Sequence, residues 1–250
     1  VSGHSHWATI RHKKAALDAR RGKAWSKHAR AITMAAKLGG GVPDDNPRLR
    51  LAMDKARSDN MPKDTIEKAI KKGTGELEGV NYEDVVYEGY GPGGTAVMAK
   101  AMTDNRNRTA GEIKKLFERA GGNLGSPNCV AFQFQQKGVI LIEGEKVGEE
   151  RIMEVALEAG AEDVLSDPMA HEVRTPPELF ESVRDAIQKA GVEIQSADMR
   201  MVSMNEITLD LETARKAMRL IDALEEHDDV DAVYSNVDIP NEVAALLAKE

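Results

Sequence analysis

A chain of 250 residues with 41% apolar and 30% charged content is long enough for roughly two domains, or three small ones. Its formal net charge of −8 conceals two opposed halves: residues 1–72 hold 17 Lys and Arg against 7 Asp and Glu, a balance of +10, and the remainder holds 17 against 35, a balance of −18. The longest unbroken apolar run, the six residues from Val243 to Ala248, is far short of the ~20 that cross a bilayer, which argues against a membrane partner.

The opening VSGHSHWATIRHKK has basic residues and histidines without an apolar stretch behind them, unlike a secretory signal, so a cytoplasmic protein is expected. His4, His6 and His12 lack the cysteine or carboxylate that would complete a zinc set and read as polar contacts in a basic arm, so no metal or cofactor is expected. From Trp25 to Leu38 the apolar residues Trp25, Ala29, Ile32 and Ala36 recur at helical spacing, with Lys23, Lys27, Arg30 and Lys37 opposite. Gly39, Gly40 and Gly41 stop this helix. Asn46 and Pro47 start a second, burying Leu49, Ala52, Met53 and Ala56. A third begins at Pro62, buries Ile66, Ala69 and Ile70, and is expected to end at Gly73 as a left-handed cap.

Past Gly75 the apolar period changes to two. YEDVVYEGY and TAVMAKAM, separated by Gly91, Pro92, Gly93 and Gly94, predict a hairpin, and the glycines read as its turn because no helix follows to make a phosphate cradle. A helix capped by Asp104 or Asn105 turns Ile113, Leu116, Phe117 and Ala120 inward, and a strand is expected near Cys129 to Phe134. Cys129, the single cysteine, has no disulfide partner and reads as a small buried hydrophobe. GVILIE then opens a βαββαβ run: a helix with Ile152, Val155, Ala156 and Ala159 inward, a strand pair from Asp163 to Arg174, a helix, and a strand near Met199 to Met204. The second of these helices is expected to open with Thr175, Pro176 and Glu178 as a capping box and to close at Gly191. A last helix with Ala214, Ala217, Met218 and Ile221 inward and a strand around Ala232 to Ile239 would complete the ββαβ unit begun at residue 80.

The expected fold class is therefore α+β with three domains: a basic helical domain over 1–76, a discontinuous α/β domain over 77–134 and 206–240, and an inserted βαββαβ domain over 135–205, the α/β parts ferredoxin-like in character. Residues 241–250 read as a C-terminal tail.

Nine Lys and Arg in residues 1–37, against Asp18 alone, exceed what a solvated helix face needs, and a phosphate backbone is their natural counterpart. The alternative is docking onto the acidic body of the same chain. Candidate nucleic-acid contacts are Trp7, Arg11, Lys13, Lys14, Arg20, Arg21, Lys23, Lys27 and Arg30, with Trp7 able to stack on bases and Trp25 belonging to the core. Arg106 and Arg108 open a helix, whose free amides favour an anion; the alternative is capping by Asp104 and Asn105 with the arginines paired to acidic neighbours. Glu225, Glu226, Asp228, Asp229 and Asp231 lack calcium-loop spacing and read as a solvated helix end. Walker A, GxSxG, HExxH and CxxC sequences are absent, which moves the weight from catalysis to binding.

The stretches GHSHWATIRHKKAALDARRGK, NPRLRLAMDKARSDNMPKDTIEKAIKKGTGE, YEGYGPGG, TDNRNRTA and GGNLGSPNCVAFQF resemble the signature sequences of the YebC/PmpR family over essentially the whole chain. That resemblance implies a three-domain bacterial cytoplasmic protein described as a DNA-binding transcriptional regulator. Relatives, the mitochondrial translational activator of cytochrome oxidase among them, imply instead a ribosomal RNA target and relief of stalling at proline-rich stretches. Lys13, Lys14, Arg20, Arg21, Lys23 and Lys27 match the family's basic positions, whereas His6, Thr9 and Leu17 stand where the family has lysine, asparagine and glutamine.

The expected function is a non-enzymatic regulator of gene expression that holds DNA or ribosomal RNA through its helical domain and a protein partner through its acidic α/β domains. A third reading, from another class, is an acyl- or phosphoryl-transfer enzyme using the cleft between domains.

Overall fold

A computed structural model describes residues 21–167 and 170–247 of the chain. It opens on three helices, α1 (Arg21–Gly39), α2 (Pro47–Ser58) and α3 (Lys63–Thr74). Their apolar stripes meet in one cluster of Ile32, Ala36, Leu49, Met53, Ala56, Ile66 and Ala69, with Trp25, Ala29, Ala52 and Ile70 at its margin, as helical spacing predicts. Asn46 ties two helix ends together. Its Oδ1 accepts from the Leu49 amide at 3.0 Å, capping α2, and its Nδ2 donates to the carbonyls of Ala35 and Gly40 at 2.8 Å, closing α1.

The left-handed cap of α3 lies two residues beyond the expected one. The helix runs on to Thr74, and Gly75 takes the left-handed conformation at φ 84°. Gly73 serves close packing instead, since a Cβ there would run into the Thr33 carbonyl and come within 2.7 Å of the Ala36 Cβ on α1. From Thr74 to Asn81 every residue is exposed, so the link to the rest of the chain runs through solvent.

The first sheet begins with the expected hairpin of β1 (Glu83–Tyr90) and β2 (Ala96–Thr103), joined through Gly93 and Gly94 at φ 73° and 75°. Helix α4 (Arg106–Arg119) follows, capped by Asn105, whose Oδ1 accepts from the Arg108 amide at 3.1 Å. A short strand, β3 (Asn123–Leu124), then pairs with β1. No strand forms from Cys129 to Val130, and Ala131–Gln133 is a short 3-10 turn. The reason is Glu88. Its buried carboxylate accepts from the amides of Asn128, Val130 and Ala131 at 2.9, 2.9 and 2.8 Å, gathering donors that a strand would have offered to a neighbour. Cys129 is partly buried rather than fully so, and burial pushes its thiol pKa up.

The chain now lays down a second sheet from β4 (Phe134–Glu143), α5 (Glu149–Glu158), β5 (Asp163–Asp167), β6 (Ala170–Thr175), α6 (Phe180–Lys189) and β7 (Ile194–Ser203). The strand order is β5-β6-β4-β7 with every pair antiparallel, the ferredoxin-like arrangement of a βαββαβ run. Ile140, Ile142, Ile152, Ala156, Val173, Val183 and Ile187 form its core. The expected capping box is not made: Thr175 ends β6, its hydroxyl donates to the Pro176 carbonyl at 3.0 Å, and a 3-10 turn at Pro177–Leu179 leads into α6. Gly191, at φ 78°, follows α6 as expected.

After β8 (Ile207–Thr208), helix α7 (Leu211–Glu226) and β9 (Val230–Ser235) return to the first sheet, giving the order β3-β1-β2-β9. One α/β unit is thus inserted into the other. Helices α4 and α7 cover one face of the first sheet through Val85, Tyr87, Val97, Ala99, Ile113, Phe117, Leu220 and Leu224. Its other face meets the second sheet through Ala96, Met98, Val130 and Phe134, with Met201 and Tyr234 alongside. The outer side of α7 is covered by β8, the parallel strand β10 (Val237–Asp238) and α8 (Asn241–Leu247), so residues 241–247, read as a tail, are helical, and Leu247 is buried against the α7 cluster.

The close approach at Gly73 makes a definite prediction. Gly73→Ala should destabilise the helical unit by about 1–3 kcal/mol, the usual range for an overpacked contact. Urea unfolding followed by tryptophan fluorescence measures it, and an unchanged midpoint would show that α1 and α3 are not in tight register.

Candidate nucleic-acid interface

Of the candidate contacts, Trp7, Arg11, Lys13, Lys14 and Arg20 lie outside the described residues, as do His4, His6 and His12. Arg21 and Lys23 stand at the start of α1. Lys27 and Arg30 follow on the same helix, and both reach the acidic body. Lys27 Nζ donates to the Glu225 carbonyl at 2.7 Å, while Arg30 donates to the Asp228 carbonyl and to Asp229 Oδ1 at 3.3 Å. Helix α7 has no basic residue in its own last turn. Two cations of α1 therefore supply what its carbonyl-rich end favours. Burial lowers the Lys27 pKa, and the charges of Asp231, Glu225 and Asp228 oppose that effect.

Asp229 is the focus of this contact. It is 5% exposed, and its carboxylate accepts from Arg30, from Arg108 at 2.7 Å and from the Thr109 hydroxyl at 2.7 Å. Burial alone would raise its pKa, but the hydrogen bonds from Thr109 and Arg108 and the charges of Arg108 and Arg30 outweigh that, leaving the carboxyl below its ordinary value. Asp229 and the carbonyls of Glu225 and Asp228 thus form a docking point, while the residues Glu226, Asp228 and Asp231 are exposed as a solvated helix end would be. Arg108 also pairs with Asp104 at 3.0 Å, so this arginine is taken by carboxylates of its own chain. Arg106 is exposed, and its guanidinium has no ion-pair partner among the described residues.

Two further pairs join the helical unit to the body: Arg48 with Asp84 on β1 at 2.8 Å, and Lys55 with Asp198 on β7 at 2.5 Å. In every one of these contacts the cation belongs to the helices. The acidic partners were visible in the sequence as charge, but which cations meet them is a tertiary fact with no local signal.

A cleft of about 690 Å³ opens beside this seam, lined by Arg30, Tyr82, Arg108, Lys115, Arg119 and His227 together with five carboxylate residues. Its charge is mixed, so it is not a dedicated anion pocket. Ligand atoms of Glu112, His227 and Asp229 lie within 4.8 Å of one another there. Their bonding is already assigned, however: His227 Nδ1 accepts from the Asp229 amide at 3.1 Å, its Nε2 faces Glu112 at 2.9 Å, and the Asp229 carboxylate is held by two arginines and a threonine. A metal bound there would have to break the contact between His227 Nε2 and Glu112.

These features define an α+β protein with two four-stranded sheets that carries a cationic helical unit clamped onto an acidic body. The chain belongs to the TACO1/YebC family: the N-terminal domain model of TACO1/YebC proteins matches residues 5–76, and the model of their second and third domains matches residues 82–237. It is 52% identical over 242 residues to a Geobacter sulfurreducens protein named probable transcriptional regulatory protein GSU1074, covering 97% of this chain and 98% of the relative. A Treponema denticola protein, likewise named a probable transcriptional regulatory protein, is 54% identical over 240 residues, covering 96% and 97% of the two chains. The crystal structure of a conserved hypothetical protein from Aquifex aeolicus superimposes with a TM-score of 0.85 at 49% identity, over 95% of this chain and 98% of that one. Among the described residues, no helix is long and apolar enough to cross a membrane.

The environment of Asp229 fixes the sign of a pH effect. Because the folded pKa is below the ordinary value of 3.8, its stabilisation is present above that pH and is lost as pH falls through the folded value. Asp229→Asn should reduce stability at neutral pH by on the order of 2 kcal/mol, the scale of hydrogen bonds to a charged group. The gap from the unsubstituted protein should close in denaturation curves taken below pH 3.8. A gap independent of pH would mean that the carboxylate charge does not matter there.

Proposed function

We propose that this protein is a nucleic-acid-binding regulator of gene expression that acts through its basic helical domain and has no catalytic role. The observation that carries this reading is the charge segregation of +10 in residues 1–72 against −18 in the remainder, in a family whose relatives are named transcriptional regulators. The domain division adopted is 1–76, 77–134 with 206–240, and 135–205, in a cytoplasmic protein.

Lys27 and Arg30 are engaged with the body, so phosphate contacts in the closed arrangement fall to Arg11, Lys13, Lys14, Arg20, Arg21 and Lys23, with Trp7 stacking on a base. Such contacts give affinity with little choice of sequence. Arg106 and Arg108 stand as an anion-binding pair only in a form of the protein where Arg108 has left its carboxylates. The acidic body presents its remaining carboxylates to a protein partner. Transcriptional regulation, with DNA as the polyanion, is the form we read from relatives named probable transcriptional regulatory proteins, and ribosomal RNA offers the same phosphate chemistry.

Replacing Lys13, Lys14, Arg20 and Arg21 by Glu should abolish binding to nucleic acid while circular dichroism stays unchanged. If about six phosphates are contacted, affinity should fall on the order of a thousandfold between roughly 50 and 200 mM salt. A flat salt response would remove the electrostatic account. Crosslinking in cells followed by sequencing of bound DNA and RNA decides the target: promoter enrichment supports transcriptional control, and ribosomal RNA enrichment moves the reading to translation.

A further inference from the structure

We propose that the contact between the helical unit and the body is a charge latch, and that a phosphate polyanion opens it by taking Lys27 and Arg30 away from the end of α7. The second half of this proposal rests on the nucleic-acid reading above. The first half stands on the structure of the seam alone.

Four observations carry it. Among the described residues the charged contacts across the seam have one polarity, with Lys27, Arg30, Arg48 and Lys55 on the helices and the α7 end, Asp84 and Asp198 on the body. The apolar cluster of the helical unit draws every one of its members from α1, α2, α3 and the turn residue Met61, and includes no residue of the body. The unit is also closed on itself: the Trp25 indole donates to the Asp59 carbonyl at 3.0 Å and His28 meets the Asp59 carboxylate, both contacts within the unit. Its only covalent link to the body is the exposed run through Asn81. Met34 is buried outside the unit's apolar cluster, on the α1 face of Lys27 and Arg30, and a unit whose seam otherwise rests on charged contacts and a solvent-exposed tether separates when those contacts are screened.

Competition follows from geometry. Lys27 Nζ and both terminal nitrogens of Arg30 bond two main-chain carbonyls and one carboxylate of the body. A nucleic-acid backbone engages the same groups, and the Arg30 side chain, 13% exposed against the body, is out of reach of a phosphate until the seam opens. Whatever favours the open unit therefore raises its apparent affinity for the polyanion, and binding of the polyanion favours the open unit to the same degree.

The test uses the full chain with Cys129→Ser and donor and acceptor dyes at Lys68→Cys and Glu181→Cys, both exposed positions. Energy transfer should fall as NaCl rises from about 50 mM to about 1 M, across which the screening length shrinks severalfold. Lys27→Met and Arg30→Met should each move that transition to lower salt with unchanged helix content. In low salt, an oligouridylate should lower the transfer in step with its own rise in fluorescence anisotropy. Glu225→Gln, Asp228→Asn and Asp231→Asn together should tighten oligouridylate binding by roughly fivefold, because less of the protein is held closed. Transfer that stays flat across the salt range overturns the latch even where the oligonucleotide binds. Transfer that falls with salt, while bound oligouridylate leaves it unchanged, overturns the competition. Failure of oligouridylate and duplex DNA to bind at any salt overturns the nucleic-acid reading and, with it, the second half of the proposal, and the salt transition then decides the latch by itself.

Discussion

Removing a carboxylate from water is unfavourable by about several kcal/mol unless donors replace the lost solvent. Asp229 meets that demand with Arg30, Arg108 and Thr109, which come from two helices far away in the chain. Its main chain is engaged as well, its carbonyl accepting from the Met102 amide at 2.8 Å on β2. The position of α1 against the body, the first turn of α4 and the join between β2 and β9 therefore converge on one residue. Moving the first turn of α4 or the join between β2 and β9 leaves a buried charge short of donors, whereas withdrawing α1 takes away Arg30 alone and leaves the Arg108 and Thr109 bonds in place.

The elements governed by local chemistry were readable in the sequence. Helical spacing located the core stripes of α1 to α3, Asn46 with Pro47 marked a true cap, and Gly93 and Gly94 marked a true turn. The insertion of one sheet into the other followed from counting strands that needed a partner. What escaped the sequence was decided by groups distant along the chain. Gly73 resembles a helix stop until the Thr33 carbonyl lies over it. The apolar sequence around Cys129 resembles a strand until Glu88 claims its amides. Thr175 resembles a cap until the preceding strand uses it.

The site shows the same division. Composition revealed that the two halves of the chain carry opposite charge, and this led to two counterparts for the basic helix, a phosphate backbone or the body of the same protein. For Lys27 and Arg30 the structure exhibits the second. The two counterparts are not exclusive, since both present closely spaced oxygens to the same donors. In the function proposed, a nucleic-acid face that also closes onto its own acidic surface is shielded from weak, indiscriminate attachment to other polyanions.

The exposed run from Gly75 to Asn81 gives this arrangement its scale. Seven residues, fully extended, reach about 24 Å. A helical unit released from the body thus remains within a sphere of roughly that radius, where a short flexible tether holds the local concentration of the partner surface in the millimolar range. Closure needs no tight interface under those conditions: an intrinsic dissociation constant of about a tenth of a millimolar keeps most of the population shut, and the loss of an exposed ion pair worth up to about 1 kcal/mol shifts the balance severalfold.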